Sequence, residues 1–113
     1  DLVARNGRRP GTVRLFTTLS AEATDPDHPA HEHFVERYER VRGFSTSRLA
    51  EESAEGRIPA GVDPAIAARL MMAVMDGLQI QWLLDPTLDM DQAYNDFINH
   101  YFGAVAPSED IDS

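Results

Sequence analysis

The chain has 113 residues, and neither a cysteine nor a lysine among them. Without thiols, disulfides and thiolate-held metals are excluded, and a reducing cytoplasm is the expected location. Without lysine, all ten basic residues are arginine, set against 19 acids for a net charge of −9. The shortage is worst in the second half, where Arg69 is the one basic residue after Val62. A surface so poor in positive charge repels a phosphate backbone, so this segment alone is not expected to bind DNA. No long uncharged apolar run is present, which excludes a membrane span, and no signal peptide is visible. No stretch alternates in the manner of a strand, no glycine-rich loop cradles a phosphate, and no motif surrounds Ser20, Ser45 or Ser47. The carboxylates fall at helix starts or on polar faces. No enzyme activity and no cofactor are therefore expected.

What the chain does have is an ordinary globular composition, 42% apolar and 26% charged, in a length that suits one domain. Such a domain buries roughly two-thirds of its unfolded surface. Residues 1–11 read as the end of an element and a loop, with Pro10 opening a helix. Val13, Phe16, Leu19 and Ala23 then fall at helical spacing. Asp25-Pro26-Asp27-His28-Pro29 breaks the chain. A longer helix is expected from about His31 to Glu55, capped by Asp27 or His28, with Pro29 in its first turn. Phe34, Tyr38, Val41, Ser45 and Leu49 line one side of it. Gly43 to Ser47 are weak helix formers, and a kink or break is expected there. Gly56 and the Ile58-Pro59-Ala60-Gly61 run end it.

Asp63-Pro64 pairs an N-cap with a proline at the first helical position, opening a helix to about Leu84 that Asp85-Pro86 stops. The last helix starts near Asp89 and runs to about Ala104, with acids in its first turn where the helix dipole favours them. Residues 107–113 read as a flexible tail.

The stretch from Pro64 to Leu84 is apolar nearly all round. One broad face holds Ala67, Leu70, Met71, Val74, Met75, Leu78 and Trp82. The far side holds Ile66, Ala73, Gly77, Ile80 and Leu84. Only a strip with Arg69 and Asp76 is clearly polar, and these two are candidates for a polar link. A helix apolar on two sides is covered on two sides. A core this small covers one easily, and a second copy of the chain is the simplest cover for the other, unless the remaining helices wrap it in a monomeric bundle. Ala73 and Gly77 are small enough for close backbone approach. Met90, Tyr94, Phe97, Ile98, Tyr101, Phe102 and Val105 make an apolar stripe on the last helix, a composition found in cores and at interfaces alike. The short connection from Asp85 to Leu88 makes the last two helices antiparallel. Two such pairs would form a four-helix bundle.

The order of segments resembles the C-terminal domains of tetracycline-repressor-type (TetR) regulators. The residues that carry the resemblance are Glu22-Ala23 before Asp25-Pro26, His28-Pro29, Arg37-Tyr38, Asp63-Pro64, and Asp76-Gly77-Leu78-Gln79 leading to Trp82 and Asp85-Pro86. The resemblance implies an all-α antiparallel helical bundle over residues 1–106, whose last two long helices form a four-helix homodimer interface. It implies a pocket for a small apolar effector among the other helices. It also implies a separate N-terminal helix-turn-helix domain that reads DNA and responds to effector binding. The chain begins at Asp1 rather than Met and reads as cut from something longer, with that domain absent from it. A purely structural dimerisation module, its pocket filled by side chains, is the alternative.

The candidate residues follow. Phe16, Phe34, Tyr38, Met71, Met75 and Trp82 lie on inward faces of three helices and are the candidate effector contacts, with Tyr38 and Trp82 offering polar tips. Ile66, Ala73, Gly77, Ile80, Leu84, Phe97 and Tyr101 are the candidate dimer contacts. His28, His31 and His33 cluster with Asp25, Asp27 and Glu32 in the manner of a zinc or nickel site. His31 and His33 are two apart and share no helix face, and His28 suits a cap, so no metal is expected.

Overall fold

A computed structural model describes residues 9–105. The expected element at residues 1–8 and the tail at 107–113 lie outside that range. Among the described residues there are four helices and no strand: α1 (Pro10–Glu22), α2 (His31–Ala54), α3 (Pro64–Leu84) and α4 (Met90–Val105). The chain is all-helical, as the periodicity predicts.

Each boundary has a local cause. Pro10 occupies the first turn of α1, where its missing N–H costs nothing. After α1, Thr24 Oγ1 donates to the Ala21 carbonyl at 2.7 Å, and Asp25 Oδ1 accepts from the Asp27 N–H at 2.9 Å, which turns the chain. The entry to α2 differs from the sequence expectation. The N-cap is Ala30, with no side-chain cap, and Pro29 precedes the helix. His28 serves the turn instead: its Nδ1 accepts from the Ala30 N–H at 3.0 Å. The His31 ring nitrogen meets the Ala23 carbonyl at 2.7 Å, tying α2 back to the end of α1.

The expected break at Gly43 to Ser47 is also absent, and α2 runs unbroken for 24 residues. Thr46 Oγ1 donates to the Arg42 carbonyl at 2.7 Å, within the helix. Phe34 and Leu49, buried on either side of the weak stretch, hold it in line against a local cost of about 1 kcal/mol for its glycine. Gly56 ends α2 at φ +79, the left-handed conformation that glycine adopts without a Cβ penalty. The Arg57 N–H returns to the Glu52 carbonyl at 2.9 Å and the Gly56 N–H to Ser53 at 3.1 Å, the paired closure of a Schellman motif. Asp63 caps α3 as predicted, accepting from the Ala65 N–H at 2.9 Å. Asp89 caps α4, accepting from the Gln92 N–H at 3.0 Å.

α3 is the hub and packs against α1, α2 and α4. At its start Ala67 and Ala68 are fully buried, and their small side chains let the neighbours close in. Leu49 of α2 and Val62 join them, with Ile58, Met71, Tyr101 and Phe102 packed around the cluster. The molecule is flat, 53 × 32 × 19 Å, and its thinnest dimension is about two helix diameters. Two layers cannot wrap a helix. One side of α3 is accordingly bare: Ile66 is 55% exposed, Ile80 46% and Leu84 82%.

Candidate functional site

The middle of α3 and the facing parts of α1 and α2 form a half-open cavity of about 300 Å³. Val13, nearly fully buried, and Phe16 come from α1; Phe34 and Val41 from α2; Met72 and Met75 from α3. The Phe16 and Phe34 rings meet at 5.7 Å between centroids, and the His33 ring stands edge-on to Phe34 at 5.3 Å. These rings give the walls a rigid apolar character, and the two methionines give them adaptability.

Besides Thr12 and His33, four polar side chains join that lining: Arg37, Tyr38, Asp76 and Gln79. Tyr38 donates its hydroxyl to Asp76 Oδ2 at 2.5 Å, linking α2 to α3 across 38 residues of sequence. Burial, helped by the carboxylate, pushes the Tyr38 hydroxyl above its ordinary range, so it remains a donor. Burial also raises the Asp76 carboxyl, against the lowering effects of the Tyr38 hydrogen bond and the Arg37 charge. Arg37 lies over the Phe16 ring, its Cζ 5.0 Å from the centroid, as a cation–π pair. Gln79 is 4% exposed and lines the same space. Its amide makes no side-chain hydrogen bond to another described residue, and no fully buried side-chain polar atom among them lacks a partner. The amide therefore opens onto the cavity.

Phe16, Phe34, Tyr38 and Met75, four of the six candidate contacts from sequence, come together here. Met71 and Trp82 do not line the cavity. Met71 packs against the alanine cluster, and Trp82 is half-buried elsewhere on α3. The difference is a rotation of α3 by about one residue. Met72, Met75, Asp76 and Gln79, spaced three, one and three apart, form the inward face. Sequence reasoning assigned Asp76 to a polar strip with Arg69. It faces inward and takes Tyr38 as its partner, while Arg69 is exposed. Two polar residues at i and i+3 beside two methionines were the available signal for a mixed, cavity-facing side.

The candidate dimer contacts divide between two helices. Ile66, Ala73, Ile80 and Leu84 are exposed and Gly77 is half-buried on the bare side of α3. A Cβ added at Gly77 would meet nothing within 4 Å, so the packing within the chain does not require glycine there. On α4, Phe97 and Tyr101 are half-buried and stacked with centroids 5.6 Å apart. Of the histidine cluster, His28 and His31 serve the turn between α1 and α2, and His33 lines the cavity. Among the described residues no three His, Asp or Glu side chains are grouped to hold a metal, and no helix is long and apolar enough to cross a membrane.

A family model described as the C-terminal part of BetI-type transcriptional repressors matches residues 1–105. The searches of curated proteins and of solved structures gave no match. That family is one of transcriptional regulators and not an enzyme class. The match covers nearly the whole chain and agrees with its all-helical fold, so the chain belongs to the BetI-type repressor C-terminal family, the regulatory domain of a TetR-type regulator.

Proposed function

We propose that this domain binds a small effector in the cavity between α1, α2 and α3, and that it dimerises through the bare side of α3 together with α4. The observation that carries the reading is the mixed lining of the cavity. Largely apolar walls line a half-open space of about 300 Å³, the lower end of the range for ligand sites, and a few polar groups converge on it. A space meant only for packing would have no use for an amide that opens onto it without a partner among the described residues.

The dimer reading rests on Ile66, Ala73, Gly77, Ile80 and Leu84. These residues cover no core, yet they are apolar or small along a single strip. A glycine inside an exposed helix costs about 1 kcal/mol relative to alanine, and a partner backbone in close approach offsets that cost. α3 carries both surfaces, so an effector that shifts its inward side moves its outward side as one rigid element. In the full regulator this coupling would reach the DNA-reading heads through the dimer.

Thermal unfolding against a panel of small amphipathic compounds tests the effector claim. The expected result is a saturable rise in Tm with one chemical class. A dimer that no compound stabilises would leave only a structural dimerisation module.

A further inference from the structure

We infer that the effector is a small amphipathic carboxylic acid, its carboxylate held by Arg37 and Gln79 and its alkyl or aryl part lying along Phe16, Phe34, Met72 and Met75. The inference rests on the effector reading above and specifies its chemistry. Asp76 is the obvious anchor for a ligand cation, but its Oδ2 takes the Tyr38 hydroxyl at 2.5 Å and its charge is already offset by the nearby Arg37, with which a ligand cation would compete. The aromatic face that would receive a ligand ammonium is engaged too, because Arg37 already lies over Phe16. An incoming cation would meet the like charge of Arg37 at the ring best suited to it.

Arg37 and Gln79 have capacity to spare. Among the described residues the Arg37 guanidinium makes no ion pair and no side-chain hydrogen bond; the only ion pairs join Arg57 to Glu52 and Glu55. The cation–π contact with Phe16, with Cζ 5.0 Å from the centroid, uses none of the N–H donors, whose planar fork can receive a carboxylate through two parallel bonds. The Gln79 amide, also on the cavity wall and 96% buried, adds a donor. The remaining wall is apolar and calls for a hydrocarbon part. At about 30 Å³ per water-sized group, 300 Å³ holds about ten non-hydrogen atoms. That is the size of an eight-carbon monocarboxylate.

Isothermal titration of the 113-residue chain with octanoate, octylammonium and octan-1-ol separates the outcomes. Octanoate is expected to bind at least about tenfold more tightly than the other two, and Arg37→Gln to remove that preference. Asp76→Asn, which keeps an acceptor for Tyr38 and removes a negative charge, is expected to tighten octanoate binding. Equal or stronger binding of octylammonium or octan-1-ol would overturn the carboxylate assignment and leave the effector reading standing. Loss of octanoate binding in Asp76→Asn but not in Arg37→Gln would overturn the assignment as well. Failure of all three compounds, and of a shorter set with six carbons, would overturn the effector reading and the assignment together.

Discussion

The two sides of α3 both carry apolar side chains and meet opposite fates. The inward side presents Met72, Met75, Asp76 and Gln79 to α1 and α2, where polar groups are partnered or turned to a cavity. The outward side presents Ile66, Ala73, Ile80 and Leu84 to nothing. Hydrophobicity alone therefore does not say which side of such a helix a core covers. The polar residues decide it: a carboxylate and an amide on the inward side need particular partners or a ligand, whereas an outward strip without polar groups needs only a matching surface.

The comparison breaks most sharply if charge is placed on the outward side. Ile80→Glu with Leu84→Glu would bury two unpaired carboxylates at the proposed interface, at several kcal/mol. The expected result is a monomer at micromolar concentration by light scattering, still helical by circular dichroism. An inward change of comparable size acts on the fold itself. Phe34→Ala is expected to lower unfolding stability by about 3 kcal/mol, because Phe34 is buried against Phe16 and His33. Next comes Tyr38→Phe, which leaves the half-buried Asp76 without its donor and costs about 2 kcal/mol in denaturant unfolding. Asp63→Ala removes the cap of α3, a feature belonging to neither side, for about 1 kcal/mol.

The smallest effect is read as a slope. Burial raises the Asp76 carboxyl above its unfolded value of 3.8, so the native state holds this proton more tightly than the unfolded chain does. Its contribution to stability is complete below the unfolded value and is lost as pH rises through the raised native value. Asp76→Asn is therefore expected to flatten the fall in stability on the alkaline side of the ordinary carboxylate range. An unchanged slope would mean that the carboxyl is not buried as described.

Much of this arrangement was legible in the sequence. Asp63-Pro64 and Gly56 fixed two boundaries because capping and left-handed backbone are local properties. The two-sided apolar character of α3 was legible for the same reason: it depends only on spacing. The rotation of α3 was not legible, because Tyr38 and Asp76 are 38 residues apart and neither is marked locally as the other's partner. Arg37, His33 and Gln79 were missed on the cavity wall because charged or polar residues on a wheel read as solvent-facing. The unbroken α2 was misjudged because weak propensity from Gly43 to Ser47 yields to burial at Phe34 and Leu49.

The central claim is that α3 is covered on its inward side by its own chain and on its outward side by a second copy. The molecular mass of the unmodified chain by light scattering, across dilution through the micromolar range, tests it most directly. The account predicts twice the chain mass of 12.6 kDa. A mass of one chain at every concentration would contradict it.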